Sequence, residues 1–172
     1  MKRFFLLLFL CLTLHVFAQQ KLQHVSTVKN ISNNSTFINA EGLNNNPYAI
    51  IIVEYDAATA KANPHAVGVW YNGSQWAIFN QDRAAMPEGL TFNLTWKNAD
   101  ANAYAHKVVN GNTSLDHPSI NNNPSASFYA SQVWNPGGIG GVYNNADITV
   151  SYNQQTGKWS VINTNNAAIT EG

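Results

Sequence analysis

Val67-Gly68-Val69-Trp70-Tyr71, then Asn72-Gly73, then Trp76-Ala77-Ile78-Phe79-Asn80 is the stretch that decides the fold. Val67, Val69 and Tyr71 alternate with Gly68, Trp70 and Asn72, the period-two pattern of a half-buried strand. Asn-Gly between two such runs signals a hairpin, because both residues tolerate the left-handed backbone of a tight turn. The pattern returns as Ile148-Thr149-Val150-Ser151-Tyr152-Asn153 and Trp159-Ser160-Val161-Ile162-Asn163, joined by the longer connection Asn153 to Gly157.

Working outward, the duplication widens. Asn44-Asn45-Asn46-Pro47-Tyr48-Ala49 recurs as Asn121-Asn122-Asn123-Pro124-Ser125-Ala126, and Ala84-Ala85-Met86 with Glu88-Gly89 recurs as Ala167-Ala168-Ile169 with Glu171-Gly172. Four blocks in one order with a period of about 80 residues indicate a duplicated half-domain or small domain, too long a unit for a solenoid. Residues 19–97 form copy one and 104–172 copy two, with one fused domain, 19–172, as the alternative. The polar, turn-rich segment Lys97 to Tyr104 is the best boundary. Ala49 to Val53 reads as a central strand, and its counterpart Ser125 to Ser131 places Ala126, Phe128 and Ala130 inward. Leu90 to Trp96 is a further strand without a counterpart after Gly172. Either Lys21 to Val28 closes that sheet or the chain is naturally shorter there. Asp82 to Met86 could form one turn of helix, ended by Pro87. The expected fold is all-β, a two-copy internal repeat forming a β-sandwich or barrel of about ten short antiparallel strands.

Lys2 and Arg3 followed by the apolar run Phe4 to Phe17 and by Val16-Phe17-Ala18 read as a secretory signal peptide, residues 1–18, cleaved after Ala18. The run is too short for a stable membrane span, so no membrane insertion is expected after cleavage. Removing Lys2 and Arg3 from a chain with nine basic and nine acidic residues leaves a net charge of −2. So weak and sparse a charge provides no footprint for nucleic acid. The single cysteine, Cys11, leaves with the signal, so the fold rests on packing without a disulfide. Secreted, periplasmic or cell-surface location in a bacterium follows as the expectation.

Comparing the copies separates scaffold from specialisation. Trp76 and Trp159 match, as do Tyr71 and Tyr152, and all four read as core. Trp70 has Ser151 as its counterpart and lies on the opposite face from Val67, which suggests a contact site, with packing under a loop as the equal alternative; one rigid ring offers ~150–250 Å² of burial. Trp134-Asn135-Pro136-Gly137-Gly138-Ile139-Gly140-Gly141-Val142-Tyr143-Asn144-Asn145 replaces the shorter Tyr55 to Asn63 of copy one. Four glycines and a proline make a loop of tight turns. An indole face beside amides suits a saccharide, which presents a C–H face and a ring of hydroxyls. The candidate ligand-binding residues are therefore Trp134, Asn135, Asn144, Asn145 and Trp70. The alternative for the loop is an irregular hairpin in which Trp134 plugs the end of the sheet.

Catalytic signatures are sparse. There is no G-x-S-x-G or H-E-x-x-H, and His24, His65, His106 and His117 lack ligand spacing, so no catalytic residue, metal or cofactor is assigned. Asp82 and the pair Asp116-His117 are the footholds for a hydrolase, with turn chemistry as the plainer role.

Trp134-Asn135-Pro136-Gly137-Gly138, Val142-Tyr143-Asn144-Asn145, Val67-Gly68-Val69-Trp70-Tyr71, Trp76-Ala77-Ile78-Phe79-Asn80-Gln81-Asp82, Ala84-Ala85-Met86-Pro87 and Phe92-Asn93 are pieces of one motif. It resembles an uncharacterised tandem-repeat β domain of secreted bacterial proteins. Copy one lacks the Trp-Asn-Pro-Gly-Gly loop, and copy two lacks Gln-Asp, Met-Pro and Phe-Asn. The resemblance implies location and repeat architecture but no mechanism. The expectation is a secreted non-catalytic binding module for a polysaccharide or cell-surface component, with a structural or adhesive protein as the alternative.

Overall fold

The computed structural model describes residues 19–56, 58, 61–111 and 113–172; the expected signal peptide lies outside them. Ten strands run in chain order: β1 (Gln20–Val25), β2 (Ile31–Ser32), β3 (Ser35–Phe37), β4 (Ala49–Tyr55), β5 (Val67–Tyr71), β6 (Trp76–Asn80), β7 (Thr91–Asn98), β8 (Ser114–Leu115), β9 (Ile148–Asn153) and β10 (Lys158–Asn163). A single 3-10 turn at Pro136–Gly138 is the only helical element among the described residues. The fold is all-β.

The strands form three antiparallel sheets, ordered β1-β7-β4, β2-β3-β6-β5 and β8-β10-β9, and none closes into a barrel. In copy one the first two sheets pack face to face as a sandwich. Ile51, Phe92, Leu94 and Trp96 come from one sheet and Val69, Tyr71, Trp76 and Ile78 from the other, all within one buried cluster. The period-two pattern explains β7: Phe92, Leu94 and Trp96 are buried while Asn93 is exposed. β7 is central, pairing with β1 from Gln20↔Trp96 to Val25↔Thr91 and with β4 from Ala49↔Asn98 to Tyr55↔Phe92. Lys21 to Val25 therefore belongs to copy one's own sheet and does not close copy two.

The duplication extends to the backbone. All six non-glycine residues with positive φ among those described fall into three matched pairs: Asn33 and Asn110 (both 52°), Asn45 and Asn122 (60° and 54°), Arg83 and Asn166 (66° and 60°). Such left-handed residues are uncommon outside glycine, so their recurrence at matched turns marks one backbone plan used twice. β3 pairs with β6 as β8 pairs with β10. Tyr71 lies opposite Trp76 on β5 and β6, and Tyr152 lies opposite Trp159 on β9 and β10.

Two expectations change. Ser125 to Ser131 is irregular and joins no sheet, because the strand that would pair with it, a counterpart of β7, is not present beside it. Asp82 to Met86 is a turn and not helix. Arg83 stands at φ 66°, and the Asn80 side chain donates to the carbonyls of Ala84 and Ala85 at 3.0 and 3.2 Å, which fixes the turn against β6.

Candidate functional site

β5 is the edge of its sheet, so Val69 and Tyr71 point their N–H and C=O groups away from β6. Copy two meets those groups. The Val69 N–H donates to Gln132 O at 2.9 Å and the Trp134 N–H donates to Val69 O at 2.8 Å, a parallel bridge between Val69 and Val133. At the next open position the Asn135 amide stands in for a peptide group. Its Oδ1 accepts from the Tyr71 N–H and its Nδ2 donates to the Tyr71 carbonyl, both at 2.7 Å. The segment Ser131 to Asn135 thus continues the β5 ladder, with a side chain completing what the backbone began.

An aromatic chain spans the same junction. Phe37 meets Trp70 edge-on at 5.8 Å, Trp70 meets Trp134 at 6.3 Å, Trp134 meets Tyr143 at 5.9 Å, and Tyr143 meets Phe79 at 5.8 Å. The Arg83 guanidinium lies 4.6 Å from the Tyr143 ring centroid. Each aromatic pair is worth roughly 0.5–1.5 kcal/mol beyond its buried area, and the cation contact about 0.5–1 kcal/mol. Trp70 also donates its indole N–H to Ser35 Oγ at 3.2 Å. Gly141 rests on the other side of Trp134: a methyl group built at Gly141 would lie 2.1 Å from Trp134 Cε2. The glycines let the loop backbone lie directly on the indole.

The five candidate residues separate here. Trp70 and Trp134 are brought together across the two copies and are both half-buried. Asn135 is 3% exposed and held by Tyr71. Asn144 is 8% exposed; its Nδ2 donates to Asn163 Oδ1 at 2.7 Å and to Gln132 Oε1 at 2.8 Å, and its Oδ1 accepts from Asn163 Nδ2 at 3.0 Å. Both amides face inward and are occupied within the fold. Asn145 is exposed. Tyr143, Gln132 and Arg83, not singled out from the sequence, complete the junction. Asn144 has a structural counterpart in copy one: Asn63 donates to Asn80 Oδ1 at 3.0 Å as Asn144 donates to Asn163.

The hydrolase footholds resolve into turns. Asp82 Oδ1 accepts from the Ala84 N–H at 3.0 Å and Oδ2 lies 2.6 Å from His65 Nδ1. The Ala84 N–H, and then the His65 ring, hold the Asp82 carboxyl below the ordinary carboxylate range. Asp116 and His117 face different partners: Asp116 accepts from Lys158 and Asn121, while His117 stacks on Tyr104 at 5.3 Å. Among the described residues no group of three or more His, Cys, Asp or Glu is placed to hold a metal ion.

The chain was compared with known proteins. Two overlapping stretches, residues 12–96 and 75–172, each match one family, described as domain of unknown function (DUF7452). The chain belongs to that family. The two DUF7452 matches share residues 75–96, which hold β6 and most of β7, so the strands that end one match open the next. No curated protein and no solved structure matches the chain.

Proposed function

We propose that this DUF7452 chain is a secreted, non-catalytic extracellular module of a bacterial surface or matrix, and that it works by contacting polypeptides as a structural or adhesive component. The observation that carries this reading is the Val69/Val133 bridge with its Asn135 extension. The distinctive motif of the sequence is occupied in adding copy two to the open edge of copy one. Strand addition uses main-chain hydrogen bonds, so the natural partner of such a surface is another polypeptide. Trp70, Trp134 and Tyr143 brace the addition, and the Asn135 amide on Tyr71 and the Asn144 N–H donated to Gln81 Oε1 hold it in register.

A saccharide reading draws on a different observation. Trp70 and Trp134 do converge, and Asn145 is exposed two residues beyond Tyr143. Its contact set would be Trp70, Trp134 and Asn145, without Asn135 and Asn144. One experiment separates the two. Residues 19–172, with Trp70→Ala and Trp134→Ala alongside, are passed over a panel of soluble and insoluble polysaccharides and then unfolded in urea. Polypeptide function predicts no retention by any polysaccharide, and for Trp134→Ala a broadened or split unfolding transition as the copies uncouple. Retention of the parent that Trp70→Ala abolishes without a change in circular dichroism would overturn it in favour of the saccharide.

A further inference from the structure

The two copies follow one plan but are not equally complete. Every residue of the buried apolar cluster belongs to copy one. Trp76, Ile78, Val69, Tyr71, Ile51 and Met86 are buried, whereas their counterparts Trp159, Val161, Val150, Tyr152, Phe128 and Ile169 are each partly exposed. One difference accounts for all six. In copy one the inward side chains Phe92, Leu94 and Trp96 of β7 cover that core, and among the described residues nothing in copy two takes their place.

The position of the uncovered strand can be located residue by residue. In copy one, the chain enters β7 through a clasp: the Gly89 N–H donates to Ser26 O at 2.8 Å and the Ser26 N–H to Leu90 O at 2.9 Å. Copy two repeats the clasp, with the Gly172 N–H donating to Val108 O at 2.9 Å and the Val108 N–H to Gly172 O at 3.2 Å. The counterpart of β1 is therefore residues 102–107 and the counterpart of β4 is residues 126–132. Neither run is a strand. His24 and His106 correspond in this register; His24 Nε2 meets Thr36 Oγ1 at 2.8 Å, while His106 Nε2 is buried without a partner. A cleft of about 940 Å³ opens here, and its lining includes Ile50 and Ile52 of β4 together with His106, Phe128, Ala130 and Val161.

We infer that this cleft is a strand-acceptor site: copy two binds an extended polypeptide segment, supplied from outside residues 19–172, that carries apolar side chains at alternate positions. The inference rests on the polypeptide-contact reading above and names its site. Copy one states the chemistry of the occupant, since Thr91-Phe92-Asn93-Leu94-Thr95-Trp96 fills the equivalent place with three inward apolar side chains and main-chain bonds to both neighbours. Within those flanking segments, residues 104–107 and 127–130 belong to no sheet and make no backbone–backbone hydrogen bond among the described residues. Their main-chain groups are there to pair with an added strand, and the half-exposed aromatics supply the pockets, the combination by which a strand is added to a sheet. No bond is made or broken.

The test uses residues 19–172 and a synthetic peptide of Gly89–Asn98, followed by calorimetric titration and hydrogen exchange. The expected result is saturable binding at a ratio of one to one, with exchange slowed at residues 102–108 and 125–131. A peptide bearing Phe92→Ser, Leu94→Ser and Trp96→Ser should bind at least tenfold more weakly. A second variant, with Leu90–Asn98 repeated after Gly172, should melt several degrees higher and no longer take up the peptide. Absence of binding, equal binding of the serine peptide, protection elsewhere in the chain, or a dimer of the protein that occupies the cleft and excludes the peptide would each overturn the proposal. Capture of protein partners that persists in the extended variant would overturn the cleft while leaving the polypeptide-contact reading intact.

Discussion

Trp76 and Trp159 make the same hydrogen bond in unequal surroundings. The Trp76 indole donates to Asn46 O at 2.8 Å and the Trp159 indole to Asn123 O at 3.0 Å, each tying a strand to the last Asn of an Asn-Asn-Asn-Pro run. Trp76 is 1% exposed and lies within the core cluster, whereas Trp159 is partly exposed and packs on Phe128 and Tyr152.

The energetic consequence is asymmetric. Trp76→Ala removes a large buried side chain and a hydrogen bond, and should destabilise by about 3–5 kcal/mol. Trp159→Ala loses less buried area and should cost under about half of that. Urea unfolding of both variants compares them directly; equal losses would mean that the core of copy two is as well sealed as that of copy one.

Gly141 tests the junction from the other side. Gly141→Ala places a methyl group against the Trp134 ring at φ 147°, and either the indole or the loop must move. A loss of about 1–3 kcal/mol is expected, with weakened near-ultraviolet dichroism from the displaced tryptophan. Gly140→Ala meets nothing within 4 Å and costs only the strain of its φ of 73°, about 1 kcal/mol. If Gly141→Ala matches Gly140→Ala in both readouts, the close approach to Trp134 is not maintained in solution.

His24 gives the fold a dependence on pH. It is 7% exposed and hydrogen-bonded to Thr36, and its removal from water lowers its pKa from the ordinary value of about 6.5. The unfolded chain then takes up the proton at a higher pH than the folded one. Stability from this residue is intact above about pH 6.5 and falls as pH drops through that value towards the folded pKa. The urea midpoint should decline between pH 7 and 5, and less steeply for His24→Gln. An unchanged slope in that variant would assign the decline to other groups.

The hairpin Val67 to Asn80 and the strand Leu90 to Trp96 were legible because alternation and Asn-Gly chemistry act locally. The pairing of β1 with β7 was not, since nothing in Gln20–Val25 distinguishes a strand that seals its own copy from one that seals the other. At the junction, Trp70 and Trp134 could be marked by their lack of equivalents. The inward turn of Asn135 and Asn144 could not, because an amide that completes a backbone ladder has the same letter as one that faces solvent. Tyr143 and Arg83 stayed hidden because their contact joins residues 60 positions apart through a loop of irregular length.

The bridge between Val69 and Val133 gives the assembly a direction. The edge of β5 is covered by the copy that follows it in sequence, while the matching edge at Val150 and Tyr152 of β9 belongs to the last copy of the pair. The pair is therefore a polar object: the edge strand of its first copy is covered, and among the described residues the edge strand of its second copy is not. A repeat added downstream would meet that edge as copy two meets Val69 and Tyr71, lengthening the array in one direction without altering a residue of the packed core.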